Sequence, residues 1–252
     1  MNYKRLIPLV VPVLVWALSQ IFLAVPSFFY FGLSAGLLII VLGVRYLAQR
    51  SKIKNWSFFI IAPALFFLSF SLYASLISSY YLIQFIFILS FWFIFSYLKN
   101  LYYFFIYEAP EREHKLDNLM IGGGFLTLFA SASSLYGLPI FLNWPFIEFL
   151  LIFIPLVFLL LIQFLAVQKT SFKENASLIF VNILLLSEIA LVFSFLPFNF
   201  NVLGFLLAIL FYFFLLIIRL RFKGELNLHN LKLPIIFSLL IFIITILTAR
   251  WL

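Results

Sequence analysis

Nine stretches of predominantly apolar residues, each about as long as a membrane-crossing helix, occupy most of the chain. A helix needs roughly 20 apolar residues to cross a hydrocarbon core about 30 Å thick. Backbone groups in lipid must be hydrogen-bonded within their own segment, and the alternating pattern of barrel strands does not occur here, so the spans are predicted to be helices. The sequence therefore predicts an all-α, polytopic transmembrane helical bundle that forms one integral membrane domain over residues 1–252. The predicted spans cover residues 6–25, 28–48, 56–77, 80–98, 118–136, 146–168, 176–197, 202–219 and 233–249.

The composition agrees with a membrane class. Hydrophobic residues make up 66% of the chain and charged residues 10%, whereas a soluble domain is roughly half apolar and about a quarter charged. A water-soluble fold of this composition could not cover its apolar surface with polar side chains. The chain has no cysteine, which excludes disulfides, thiolate metal sites and cysteine nucleophiles.

The basic residues follow a pattern that predicts the topology. A formal charge of +8 would suggest nucleic-acid binding in a soluble protein, but here the basic residues cluster in every second connection between spans. All lysines and arginines except Arg250 lie on one side of the predicted bundle, which the positive-inside rule assigns to the cytoplasm. We expect a cytoplasmic N-terminus, an external C-terminus, the lipid bilayer of the inner (plasma) membrane around the helices, and no nucleic-acid partner. The apolar run after Arg5 is longer than a signal-peptide core, which indicates an uncleaved first helix.

Two spans carry faces of small residues, which let helix backbones approach closely in lipid. The second span contains Gly32, Gly36 and Gly43, and the fifth contains three glycines at residues 122–124. We expect both faces to serve helix packing, and the alternatives are a hinge or a dimer seam. A helix broken at the three glycines is a further alternative for the fifth span. The longest predicted connection, residues 99–117, begins with an aromatic run that either lies in the membrane interface or continues the fourth helix.

Glu188 is the strongest single-residue indication of a site. An ionisable side chain at bilayer depth costs about 2.5–3.5 kcal/mol on insertion scales, so it is normally paired, protonated or beside water. A hairpin centred near residue 200 places Tyr212 at the depth of Glu188. We expect a largely protonated Glu188 to share a hydrogen bond with Tyr212 or a neighbouring polar group. Two roles stay open, a neutral acid that ties helices together and a proton relay or substrate contact.

The other candidate residues lie closer to the ends of spans. Glu148 stands near the outer start of the sixth span, and Arg250 stands at the outer end of the ninth. Both side chains can reach the interface by snorkelling. A sharper hypothesis pairs them at an outward-facing cleft, where Arg250 could hold an anionic headgroup or phosphate. The candidates for hydrogen bonds between helices are Asn182, Gln20, Gln84 and Gln163.

No recognised catalytic motif occurs in the chain. The phosphate-loop, dinucleotide-binding, zinc-protease and serine-hydrolase patterns are not found. Glu111 and His114 have the Glu-x-x-His spacing of one half of a di-iron carboxylate motif, but such a site needs two of these motifs and further Glu ligands. His229 stands alone in a connection. We therefore expect no metal and no cofactor.

The C-terminal third of the chain contains Glu188, the exit sequence at residues 194–199, Gly204, Tyr212 and the ending at residues 248–251. In these residues it resembles uncharacterised multi-spanning inner-membrane proteins of candidate-phylum bacteria, a family defined by a domain of unknown function. The resemblance implies a bacterial inner-membrane setting. It supplies no substrate, cofactor or catalytic residue.

Three classes of function are compatible with these residues. The first is a non-enzymatic scaffold or subunit of envelope machinery, with membrane-protein partners or further copies of the chain. The second is a small transporter that uses Glu188 for proton coupling. The third is an enzyme on lipid-linked substrates at the outer face, with Glu148 or Glu188 as base and Arg250 as anion clamp. We expect the first.

Overall fold

The computed structural model describes residues 3–49, 56–107, 110–142, 145–168, 170 and 172–249. These residues form nine α-helices, and eight of them are long and apolar enough to cross a membrane. The prediction of an all-α, polytopic membrane bundle is confirmed, and the chain is a multi-pass membrane protein. The helices are α1 (Ile7–Ala24), α2 (Phe29–Ala48), α3 (Phe58–Ser75), α4 (Tyr80–Tyr107), α5 (Pro110–Leu142), α6 (Phe146–Val167), α7 (Phe172–Ser194), α8 (Phe200–Phe222) and α9 (Leu228–Thr248).

The predicted connection at residues 99–117 is mostly helical in the structure. Helix α4 continues to Tyr107, and α5 begins at Pro110. The predicted fourth span ends at residue 98, before the charge of Lys99. In the structure the Lys99 side chain is exposed, and its Nζ lies 5.7 Å from the ring centroid of Phe95. The charge therefore reaches the helix surface without interrupting the backbone hydrogen bonds.

The ninth predicted span corresponds to α9, which is a helix of 21 residues. Its continuous apolar part among the described residues, Pro234–Thr248, is shorter than the apolar parts of the other eight helices. That α9 crosses the membrane stays a prediction.

The chain forms two compact units, Met1–Gly123 and Gly124–Leu252, and the boundary falls inside α5. In the N-terminal unit, α1 to α4 close into a four-helix ring, because α1 packs on α2 and α4, and α3 packs on the same two helices. The interior enclosed by these four helices is aromatic. The side chain of Phe66 stacks on those of Phe70 and Phe93, with centroid distances of 4.4 and 3.9 Å. Burial of such rings is how a bundle with few large polar groups gains packing contacts.

The glycine face of α2 brings neighbouring helices close together. A Cβ added at Gly36 would lie 2.6 Å from Cζ of Phe67 in α3, and one added at Gly43 would lie 2.8 Å from Cγ2 of Val11 in α1. Such contacts are too short for a real Cβ atom, so these positions need glycine at this helix spacing. The packing role predicted for this face is confirmed.

In the C-terminal unit, the second half of α5 contacts three helices. The hydroxyl of Tyr136 donates a 2.8 Å hydrogen bond to the backbone carbonyl of Ala190 in α7, and the Tyr136 ring lies 4.7 Å from that of Phe149 in α6. Gly204 of α8 lies against Ser133 of α5. Helix α9 packs mainly on α8 and leaves most of its side chains exposed. The small-residue face of α5 thus serves helix packing, and the helix is continuous through the three glycines at residues 122–124.

Candidate functional site

Glu188 lies within α7 and its side chain is exposed. It stands six positions before Ser194, the last residue of α7, and this spacing corresponds to about 9 Å along the helix axis. The helix ends three residues earlier than predicted, before Pro197. Glu188 therefore lies nearer to one end of the helix than expected, but still within a segment apolar enough to cross a membrane.

Helix α7 has a buried side and an exposed side, and both follow a heptad spacing of three and four residues. Ile179, Asn182, Leu186, Ala190 and Phe193 form the buried side. On the opposite side, a row of exposed residues forms what we call the exposed stripe of α7. It belongs to a wider exposed surface that also contains Phe180 and Val192. Glu188 lies at its centre, with apolar neighbours one turn away on either side. The stripe consists of Ser177, Val181, Leu184, Glu188 and Leu191 in the helix and of the exposed Phe195 immediately after it.

Tyr212 does not meet Glu188. Among the described residues, no hydrogen bond joins the two side chains, and the Tyr212 ring packs edge-on against Phe125 of α5 at a centroid distance of 6.0 Å. The hairpin argument predicts depth along the membrane normal but not the rotation of each helix about its axis. That rotation follows the apolar contacts of residues such as Leu186 and Ala190, which turn Glu188 outward.

Asn182 is the polar residue on the buried side of α7, where it keeps 9% of its surface exposed. Its Nδ2 donates a 2.7 Å hydrogen bond to the backbone carbonyl of Leu178, one turn earlier in the same helix. The amide thus satisfies a donor locally, as short polar side chains in helices often do. It is placed away from Glu188, and the two do not form one site.

Glu148 is half-buried in the first turn of α6. A carboxylate is favoured there by the partial positive charge of a helix N-terminus. Its backbone N–H donates a 3.0 Å bond to the carbonyl of Pro145. Arg250 lies outside the described residues, so its pairing with Glu148 stays a prediction.

The predicted hydrogen bonding between helices is confirmed for Gln20 and Gln84. The side-chain amides of Gln20 in α1 and Gln84 in α4 exchange two hydrogen bonds, of 3.0 and 2.9 Å. Each amide thus donates to and accepts from the other, which ties the end of α1 to the start of α4. Gln163 is buried in α6, with 2% of its surface exposed.

A second group of polar residues, not singled out by the sequence, is buried in the N-terminal unit. Lys4, Asn100, Tyr102 and Asp117 keep 8, 9, 5 and 3% of their surfaces exposed. Lys and Asp are almost never buried to this degree unless they are paired, and both make interactions within the structure.

These four residues lie at one end of the helical ring. The Gln20–Gln84 pair shows that α1 and α4 run antiparallel, which brings the residues before α1 level with the last third of α4. Arg5 accordingly interacts electrostatically with Tyr102, and Tyr102 hydrogen-bonds the side chain of Tyr107. Gly123 packs against Phe93, so Asp117 is near the level of Asn100. We name Lys4, Asn100, Tyr102 and Asp117 the end cluster.

The end cluster contains a cation, a carboxyl group, an amide and a phenol, and Nδ2 of Asn100 donates a 2.7 Å hydrogen bond to the backbone carbonyl of Ser96. The sequence offered one signal, because Asp117 is the sole aspartate. Asp117 lies at the end of the predicted connection at residues 99–117, where a buried side chain is not expected. The described residues contain no group of three His, Cys, Asp or Glu side chains that could hold a metal ion.

Comparison with known proteins gives no match to a family model, a curated protein or a solved structure. This finding neither supports nor opposes the resemblance to bacterial inner-membrane proteins, which stays a prediction.

Proposed function

We propose that the chain is a non-enzymatic subunit of a membrane assembly and that it pairs with a second copy of itself through α7. The observation that carries this proposal is the place of Glu188, exposed at the centre of a heptad stripe on a helix long and apolar enough to span a membrane. The setting we propose is the bacterial inner membrane, where such a subunit would serve envelope machinery.

A carboxyl group facing hydrocarbon gains more from a protein partner than an apolar side chain does. Lipid tails are as apolar as leucine, so Val181, Leu184 and Leu191 alone provide little reason for two helices to leave lipid and meet. A carboxyl group without a hydrogen-bond partner is costly at that depth. In model helices, hydrogen bonds between polar side chains contribute about 1–2 kcal/mol to association.

The partner that fits this surface is a second copy. Copies of one chain insert with the same topology, so a two-fold axis along the membrane normal brings the exposed stripe against itself with both Glu188 side chains at one depth. The spacing of three and four residues is that of left-handed parallel helix pairs. One carboxyl group, when protonated, donates its O–H to the other. A single polar residue in such a seam also selects one register.

The natural absence of cysteine allows a direct test. Leu184→Cys places a thiol on the stripe one turn from Glu188, and Leu185→Cys places one at an equally exposed position about 100° around the helix. In native membranes under mild oxidation, we expect the Leu184→Cys chain to form a disulfide-linked dimer and the Leu185→Cys chain to stay monomeric. The measurement is the dimer fraction on a non-reducing gel.

The contribution of the carboxyl group is tested in the Leu184→Cys background. Glu188→Leu removes all hydrogen bonding and should lower the dimer fraction, whereas Glu188→Gln keeps a donor and an acceptor and should preserve most of it. If Leu184→Cys gives no dimer, or if Leu185→Cys links equally well, self-pairing through this stripe is wrong. If the dimer forms equally with leucine at 188, the carboxyl group does not hold it together.

The two other functions stay predictions. A proton-coupled transporter needs Glu188 beside a polar path, and the neighbours of Glu188 along the stripe are apolar. An enzyme on lipid-linked substrates needs Glu148 and Arg250 together, and Arg250 lies outside the described residues. No described contact favours either function over a membrane subunit.

A further inference from the structure

A groove of about 610 Å³ opens between α1 and α2 in the N-terminal unit. Its volume falls within the roughly 300–1,000 Å³ of small-molecule sites. Leu6, Val10 and Leu42 line it and keep 46, 46 and 52% of their surfaces exposed. At Gly43 the two helices approach closely against Val11, which closes the floor of the groove. The groove is therefore an apolar depression along the surface of the α1–α2 pair.

The mouth of this groove is basic and polar. Arg45, in the last turn of α2, lines the groove together with Gln49, and its side chain is exposed. Tyr46 also lines it, and Nζ of Lys4 lies 5.5 Å from the centroid of the Tyr46 ring. That distance is within the roughly 6 Å reach of a cation–π interaction. Arg45 thus places a cation at the mouth, and no acidic side chain lines the part of the groove that the structure describes.

We propose that this groove binds an anionic glycerophospholipid of the surrounding bilayer. An acyl chain would lie along Val10 and Leu42, and the phosphate would meet the guanidinium of Arg45. Arginine suits this role because its planar fork of N–H donors binds phosphate through two hydrogen bonds. An apolar groove with a cation at one end matches both parts of such a lipid.

The position of the groove along the membrane normal agrees with this ligand. It lies at the basic end of α1 and α2, which the positive-inside rule places at the cytoplasmic leaflet. Anionic lipids are concentrated in that leaflet, and basic pockets between membrane helices on this side bind their headgroups. The groove belongs to the N-terminal unit, so this proposal does not depend on pairing through α7.

Native mass spectrometry of the full chain in mild detergent tests the proposal. The probes are phosphatidylglycerol, which is anionic, and phosphatidylcholine, which is zwitterionic, with identical acyl chains. We expect the chain to retain phosphatidylglycerol in preference to phosphatidylcholine. Arg45→Gln should lower phosphatidylglycerol retention about fivefold, the loss expected for one basic residue beside an anionic lipid. It should lower phosphatidylcholine retention less, because the choline cation offsets the charge of its phosphate.

Two further variants keep the test decisive. Arg221→Gln removes an arginine from the last turn of α8 that is also exposed but does not line the groove, and should keep wild-type retention. Leu42 is an exposed residue that lines the groove, so Leu42→Trp should fill the groove and lower retention of both lipids. Equal retention of the two lipids by the wild-type chain, no effect of Arg45→Gln, or an equal effect of Arg221→Gln would each overturn the proposal.

Discussion

Asn182 and Glu188 are polar residues of one helix that meet different surroundings. They stand six positions apart in α7, which turns them to different sides of the helix. The buried amide bonds the carbonyl of Leu178, whereas the carboxyl group of Glu188 has no hydrogen bond to another described residue. A local hydrogen bond makes burial of Asn182 tolerable. At this scale, the residue that still needs a partner is the one that faces outward.

Gly204 of α8 packs directly against the backbone of α5 at Ser133. A Cβ added at this position would lie 2.6 Å from the backbone nitrogen of Ser133 and 2.9 Å from its Cα. Backbone atoms cannot move aside as a flexible side chain can, so α8 would have to shift away from α5. We expect Gly204→Ala to lower the free energy of unfolding by about 1–3 kcal/mol, measured as a lower midpoint of thermal unfolding in detergent.

Gly122→Ala is the matched control for this substitution. Gly122 is also helical, and an added Cβ there meets no atom within 4 Å. Alanine should therefore be neutral or stabilising by up to about 1 kcal/mol through its helix propensity. Equal destabilisation by the two substitutions would show that the close contact between α5 and α8 does not determine the effect at Gly204.

The sequence predicts elements better than it predicts the directions of side chains. Helices follow from the length of the apolar spans, and most predicted boundaries lie within a few residues of those observed. The predicted pairing of Glu188 with Tyr212 is not found, because hydrophobicity on most sides of a helix leaves its rotation undetermined by the sequence. The burial of Asp117 was missed for a different reason. Its helix begins at Pro110, several residues before the apolar pattern starts.

At the scale of helices, the pair Gln20–Gln84 ties α1 to α4. Its two amides are part-buried and satisfy each other across the contact. In lipid, where apolar surfaces gain little by association, such a bond adds orientation to van der Waals packing. The tie also fixes the antiparallel register that places Lys4 near the end of α4.

A double-mutant cycle on this pair measures the tie. Gln20→Leu and Gln84→Leu alone should each destabilise the fold, because the remaining amide loses its partner. The double substitution should cost less than the sum of the two, with a coupling energy of about 0.6–2 kcal/mol. Unfolding by denaturing detergent, followed by circular dichroism, gives the four free energies. Additive effects would mean that the two hydrogen bonds make no net contribution.

Whether α9 crosses the membrane determines the side of the bilayer on which Ala249 lies. Its apolar part, Pro234–Thr248, reaches about 22 Å at helical rise, which is less than the roughly 30 Å of a hydrocarbon core. The complete helix Leu228–Thr248 reaches about 31 Å. Lys232, near its start, is exposed and can snorkel to the interface while the helix crosses. A short apolar part is therefore compatible with a ninth crossing, if the local bilayer thins or the first turn of α9 enters the interface.

Reporter fusions distinguish eight crossings from nine. We expect a reporter that is active only outside the cytoplasm to be active when fused after Ala249 and inactive when fused after Lys223, because Arg219, Arg221, Lys223 and Lys232 hold the connection before α9 inside. A reporter that fluoresces only in the cytoplasm should give the opposite pattern at both sites. Cytoplasmic signals at both positions would mean that α9 does not cross, and would place it on the membrane surface or against α8 from the cytoplasmic side. Replacing Lys232 by leucine should then lengthen the apolar part and move the reporter after Ala249 outside. The gain should be smaller than the roughly 2.5–3.5 kcal/mol of a charge at a helix centre, because Lys232 lies near the start of α9.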